Sequence, residues 1–70
     1  MLNTESTYVE AGYKAGQAMK QRDLARYEHW KRWFRSARAC ESESDREYVD
    51  KLWTQGYSEA NPARKPEYFR

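Results

Sequence analysis

The sequence predicts an all-α fold, a small helical hairpin or three-helix bundle, on three observations. Apolar residues recur every three or four positions in three separate stretches. Polar, turn-forming residues punctuate those stretches. Period-2 alternation of β-forming residues never lasts four positions. Helices are expected at about 5–21, 23–40 and 44–60. Residues 1–61 then make a single helical domain, and 62–70 an extended or partly disordered tail.

The first helix is expected to begin around Asn3–Thr7, with Thr7-x-x-Glu10 as its capping box. Tyr8, Val9, Gly12, Ala15, Gly16 and Met19 share one face, which is mostly small. Lys20-Gln21-Arg22-Asp23 interrupts the period, and Asp23 can cap a second helix. No Gly or Pro forces that break, so one continuous helix over 5–40 stays open as an alternative. In the second segment Tyr27, Trp30, Trp33, Phe34 and Ala37 cover one face. Large residues pack best against small ones, which predicts that Trp30 or Phe34 fills the Gly12/Gly16 groove. The third helix is expected to start at the capping box Ser44-Asp45-Arg46-Glu47. Its apolar face is Val49, Leu52, Trp53 and Gly56, with Tyr48 and Tyr57 at the margins. Asn61-Pro62 ends it. The core is expected to centre on Tyr27, Trp30, Phe34, Leu52 and Trp53.

Composition narrows the function classes. A 70-residue chain holds a core that contributes only about 3–5 kcal/mol net. Cys40 and His29 are the only Cys and His, so neither an internal disulfide nor a zinc site is expected, and the lone thiol suits a reducing compartment. No apolar stretch resembles a signal peptide or a membrane span. Eleven aromatic residues, three Trp, six Tyr and two Phe, are more than a disordered chain carries. Catalysis is not expected. His29 and Cys40 lie about 16 Å apart along a helix, Glu41 beside Cys40 opposes thiolate formation, and Gly12 and Gly16 sit within a helical period rather than in a phosphate loop. No cofactor is implied.

The net charge of +2 hides a bipolar pattern, +4 over residues 22–39 and −4 over residues 41–59. Arg22, Arg26, Lys31, Arg35 and Arg38 flank the aromatic face of the second segment, and with exposed rings they would suit phosphates and bases. The spacing of Trp30, Phe34 and Ala37 points those rings inward instead, and the acidic third segment offsets the field. Nucleic acid is therefore disfavoured as a partner relative to protein. Glu41, Glu43, Asp45, Glu47 and Asp50 form an acidic edge suited to a basic protein surface. The aromatic surplus, Trp33, Tyr13, Tyr48 and Tyr57 at face margins and Tyr68-Phe69 in the tail, suits a homodimer or partner interface.

The strings AGYKAGQAMKQRD, HWKRWFRSA and DKLWTQGYSEANP resemble the small helical early proteins of transposable Pseudomonas phages, the quorum-sensing anti-activators in particular, from about Tyr8 to Pro62. The resemblance implies a helical homodimer made in the host cytoplasm, without enzymatic activity. It also implies two host targets: the DNA-binding domain of a LuxR-type transcriptional activator, and the type IV pilus assembly ATPase. GYKAG and LWTQGYSEA are also similar to the ribosome modulation factor family, which implies a ribosome- or RNA-associated factor as the alternative. The interval from Gly16 to Trp53 is longer here than in that family, and the chain is less basic.

Overall fold

A computed structural model describes residues 3–62. Three helices follow one another: α1 (Glu5–Lys20), α2 (Leu24–Ala39) and α3 (Glu43–Ala60). The expected all-α bundle is present. The expected tail, with Tyr68 and Phe69, lies almost wholly outside the described residues.

Residues 5–40 form two helices, not one. Arg22 takes a left-handed conformation with φ 59°. Its N–H reaches Met19 O at 3.0 Å, and the Asp23 N–H reaches Ala18 O at 2.8 Å. This is the hydrogen-bond pattern of a Schellman termination, with arginine in the position usually held by glycine. Asp23 then caps α2, its carboxylate accepting from the Arg26 N–H at 3.1 Å.

The other two caps fall earlier than expected. Thr4, not Thr7, caps α1 by accepting from the Thr7 N–H at 3.2 Å. Ser42, not Ser44, caps α3 by accepting from the Asp45 N–H at 3.3 Å. Asn61 terminates α3, its N–H donating to Tyr57 O at 2.8 Å. Arg46 reaches back from α3 to donate to Arg38 O and Ala39 O at 3.3 and 3.1 Å. The bond to Ala39 O satisfies a carbonyl in the last turn of α2, and Arg38 O accepts in addition from the Glu41 N–H at 3.0 Å.

The packing departs from the expected pairing. Gly12 and Gly16 do not receive Trp30 or Phe34; they receive the backbone of α3. A Cβ added at Gly12 would stand 2.2 Å from Trp53 O, and one at Gly16 would stand 2.7 Å from Tyr57 O. The contact is reciprocal, because a Cβ at Gly56 would stand 1.9 Å from Val9 O. Residue numbers rise together along this seam, so α1 and α3 run parallel, and α2 is the antiparallel return between them.

The core fills the space under that pair. Tyr8, Ala11, Ala15 and Ala18 of α1 meet Tyr27 and Phe34 of α2 and Val49, Leu52, Trp53 and Tyr57 of α3. Phe34 stacks on Trp53 with centroids 4.4 Å apart and meets Tyr8 edge-on at 5.9 Å. Of the expected core, Tyr27, Phe34, Leu52 and Trp53 are buried. Trp30 is a correction: it is half-buried at the rim, because the groove meant for it is occupied by α3. Tyr57 is the converse, expected at a margin but 2% exposed.

Candidate functional site

Two of the five acids expected at the acidic edge are used inside the fold. Glu41 is only 5% exposed and accepts from the Tyr8 hydroxyl at 2.5 Å. Burial, reinforced by the hydrogen bond to Glu41, holds the Tyr8 hydroxyl above its ordinary pKa. Asp50 accepts two bonds from Arg38, Nε–Oδ1 at 2.6 Å and Nη2–Oδ2 at 3.0 Å. This fork-on-carboxylate geometry ties α2 to α3. Glu41 and Asp50 are therefore removed from the edge, and Arg38 from the basic flank.

What remains at the edge is Glu43, Asp45 and Glu47, with Glu43 and Glu47 exposed. The fold adds a residue that the sequence did not reveal. Because α1 and α3 run parallel, their first turns lie side by side, and the Tyr48 hydroxyl donates to exposed Glu5. That bond raises the Tyr48 pKa. One end of the molecule thus carries Glu5, bonded to a tyrosine that is 42% exposed, together with Glu43, Asp45 and Glu47 of the start of α3. These acids also face the positive ends of two helix dipoles.

The basic flank is dispersed. Arg22 sits in the α1–α2 turn, exposed Arg26 lies 3.7 Å from Asp23, and the Lys31 ammonium stands 5.6 Å from the Tyr27 ring centroid. Arg35 and Arg38 line a groove between α2 and α3 with Ala39, Arg46 and Asp50. A different basic surface lies along the α1–α2 side. Trp30 lines a hollow with Lys14, Gln17, Gln21 and Arg26. The next hollow is lined by His29, Arg32, Trp33 and Ser36. His29 is expected near the Arg22 and Arg26 side of the flank, whereas Arg32 is not among the expected flank residues; its i, i+3 spacing from His29, beside Trp33, is the signal that places it there.

The interface aromatics separate as well. Tyr13 is 40% exposed and lies beside the α1–α3 seam, where its N–H would be 2.8 Å from a Cβ at Gly56. Trp33 is half-buried, tilted on Tyr8 at 5.9 Å and edge-on to Trp30 at 6.3 Å. Cys40 is a free thiol at the end of α2.

Among the described residues no helix is long and apolar enough to cross a membrane. No family model, no curated protein and no solved structure matches the chain.

Proposed function

We propose that this chain is a non-enzymatic inhibitor that acts in a host cytoplasm by covering a basic protein surface with its acidic end. The observation that carries this reading is the Tyr48–Glu5 bond, which sets the acidic first turn of α1 beside the start of α3, where Glu43, Asp45 and Glu47 stand. Carboxylates at the same end as an exposed aromatic suit a basic partner: the charges steer the encounter and the ring supplies buried contact area. The basic recognition surface of a DNA-binding domain is such a partner, and the anti-activator resemblance specifies that of a LuxR-type activator. The type IV pilus assembly ATPase is the second target on the same reading.

The test is a titration of a purified LuxR-type DNA-binding domain with the wild-type chain and with the Glu43→Lys/Glu47→Lys variant. The variant is expected to bind at least tenfold more weakly at unchanged helicity. The Glu43→Gln/Glu47→Gln variant is expected to fall between them. Equal affinity for all three refutes the assignment of this surface.

The reading includes a homodimer. Tyr13 lines a surface hollow with Lys20 and Glu59, so a two-fold contact there sets opposite charges against each other across the two copies. Sedimentation at micromolar concentration is expected to give a dimer that Tyr13→Glu converts to monomer. A monomeric wild type removes the dimer from the account.

A further inference from the structure

The two hollows adjoin at the Trp30 ring, and the chemistry of the strip they make differs from that of the acidic end. Trp30 lines only the first hollow, and two residues of the second meet its ring. His29 meets it edge-on at 5.2 Å, and Trp33 meets it edge-on at 6.3 Å. The Lys14 ammonium stands 4.9 Å from the Trp30 ring centroid. The polar groups lining the strip are ammonium, guanidinium, imidazole, amide and hydroxyl, and neither hollow is lined by a carboxylate. Exposed Glu28 lies one helical turn before Arg32, and two of the cations have acidic surface partners: Glu10 at 3.0 Å from Lys14, and Asp23 at 3.7 Å from Arg26. Both pairs are largely exposed, and such pairs hold their cations weakly.

Cations, partly buried tryptophans and side-chain amides together meet the needs of an unpaired nucleotide chain. Phosphates need the cations, bases need a ring to stack on, and base edges need donors and acceptors. An acidic peptide would use the cations and leave the rings idle. Trp30 and Trp33 sit at i, i+3 on α2, so two adjacent bases can lie along one helix face. We propose that this strip binds single-stranded nucleic acid, with bases against Trp30 and Trp33 and phosphates against Lys14, Arg26 and Arg32. Of the strip only Lys14 lies within GYKAG and no residue lies within LWTQGYSEA, and the strip shares no residue with the acidic end. This proposal and the protein-masking reading can therefore fail independently.

The test titrates the full chain with an eight-nucleotide oligouridylate and an eight-nucleotide oligothymidylate. A duplex of equal length and polyglutamate serve as competitors, and tryptophan fluorescence is the signal. At least one single strand is expected to bind and quench the fluorescence, and comparing the two strands shows which sugar is preferred. Three phosphate contacts predict a log–log salt slope of about −2, or roughly twentyfold weaker binding from 50 to 200 mM salt. Arg32→Gln, an exposed change, is expected to reduce that slope by about 0.7. Trp33→Leu is expected to weaken binding about tenfold or more, as loss of one stacking platform does. Glu43→Lys/Glu47→Lys is expected to retain full binding. Three results would each overturn the proposal: no binding of either strand at 50 mM salt, equal or better competition by duplex or polyglutamate, or an Arg32→Gln variant with unchanged slope.

Discussion

The two seams of this molecule are built from opposite materials. Along α1–α3 the helices touch backbone to backbone, because Gly12, Gly16 and Gly56 remove the side chains that would hold them apart. Along α1–α2 the helices are joined by rings, with Tyr8, Tyr27, Phe34, Trp33 and Trp30 bridging the gap. A glycine seam contributes close dispersion contacts and has no tolerance, since a backbone cannot rotate out of the way. A ring seam is thicker and leaves ring edges at its rim. The same tryptophans can then hold α2 in place and present a surface. The lesson is that the small residues fix the frame, and the large ones are divided between the core and its rim.

The comparison predicts its own breaking points. The largest effect is expected from Gly56→Ala. Its Cβ would lie 1.9 Å from Val9 O, and separating the two backbones costs about 3 kcal/mol or more, of which helix propensity returns only about 1. In a chain with about 3–5 kcal/mol to lose, the cooperative thermal transition followed by circular dichroism should disappear. Gly16→Ala, meeting Tyr57 O at 2.7 Å, should do less damage.

Next comes the hydroxyl at the ring seam. Tyr8→Phe removes the donor that Glu41 accepts from and should cost about 2 kcal/mol in urea unfolding. The same hydroxyl makes stability pH-dependent. Its pKa is raised in the fold, so the folded chain holds that proton more tightly than the unfolded one. Its contribution is complete below the ordinary tyrosine value of about 10 and is lost as pH rises through the folded value. The stability difference between wild type and Tyr8→Phe should therefore shrink above about pH 10.

Smaller effects locate the helix starts. Ser42→Ala should cost about 1 kcal/mol, while Ser44→Ala, at an exposed position inside α3, should cost a few tenths at most. Smallest is Arg22→Gly, which relieves a left-handed arginine and should raise stability by about 0.5–1 kcal/mol.

Much of this fold was legible in the sequence. The three periodic stretches gave three helices, and Asp23 and Asn61 mark termini as expected. The starts of α1 and α3 slipped because their signals overlap. Ser42-x-x-Asp45 and Ser44-x-x-Glu47 are both Ser-x-x-acid patterns, and a cap pattern does not say which of two registers the helix extends to. The α1–α2 break carries no glycine, since Arg22 fills the left-handed position. The seam itself was misassigned by matching volumes. Large rings were paired with the Gly12-x-x-x-Gly16 groove, although Gly56-x-x-x-Ala60 offers a second stripe of the same spacing. Two such stripes can close on each other, and here they do.

The acidic edge was half legible. Glu43, Asp45 and Glu47 stand at the surface near the start of α3, but the burial of Glu41 and the pairing of Asp50 depend on contacts 33 and 12 residues away. Local spacing carries no trace of such contacts. Glu5 joins the edge only because α1 and α3 are parallel.

The central claim is that the glycine-joined pair is the frame and α2 is carried on it. Amide hydrogen exchange of the native chain tests this most directly. Amides of α1 and α3 beside the seam, at Ala15, Gly16, Trp53 and Tyr57, are expected to exchange only through global unfolding. Those of α2 from Arg32 to Ser36 should open at lower free energy. Equal protection of α2 and α3, or earlier opening of α3, would contradict the account.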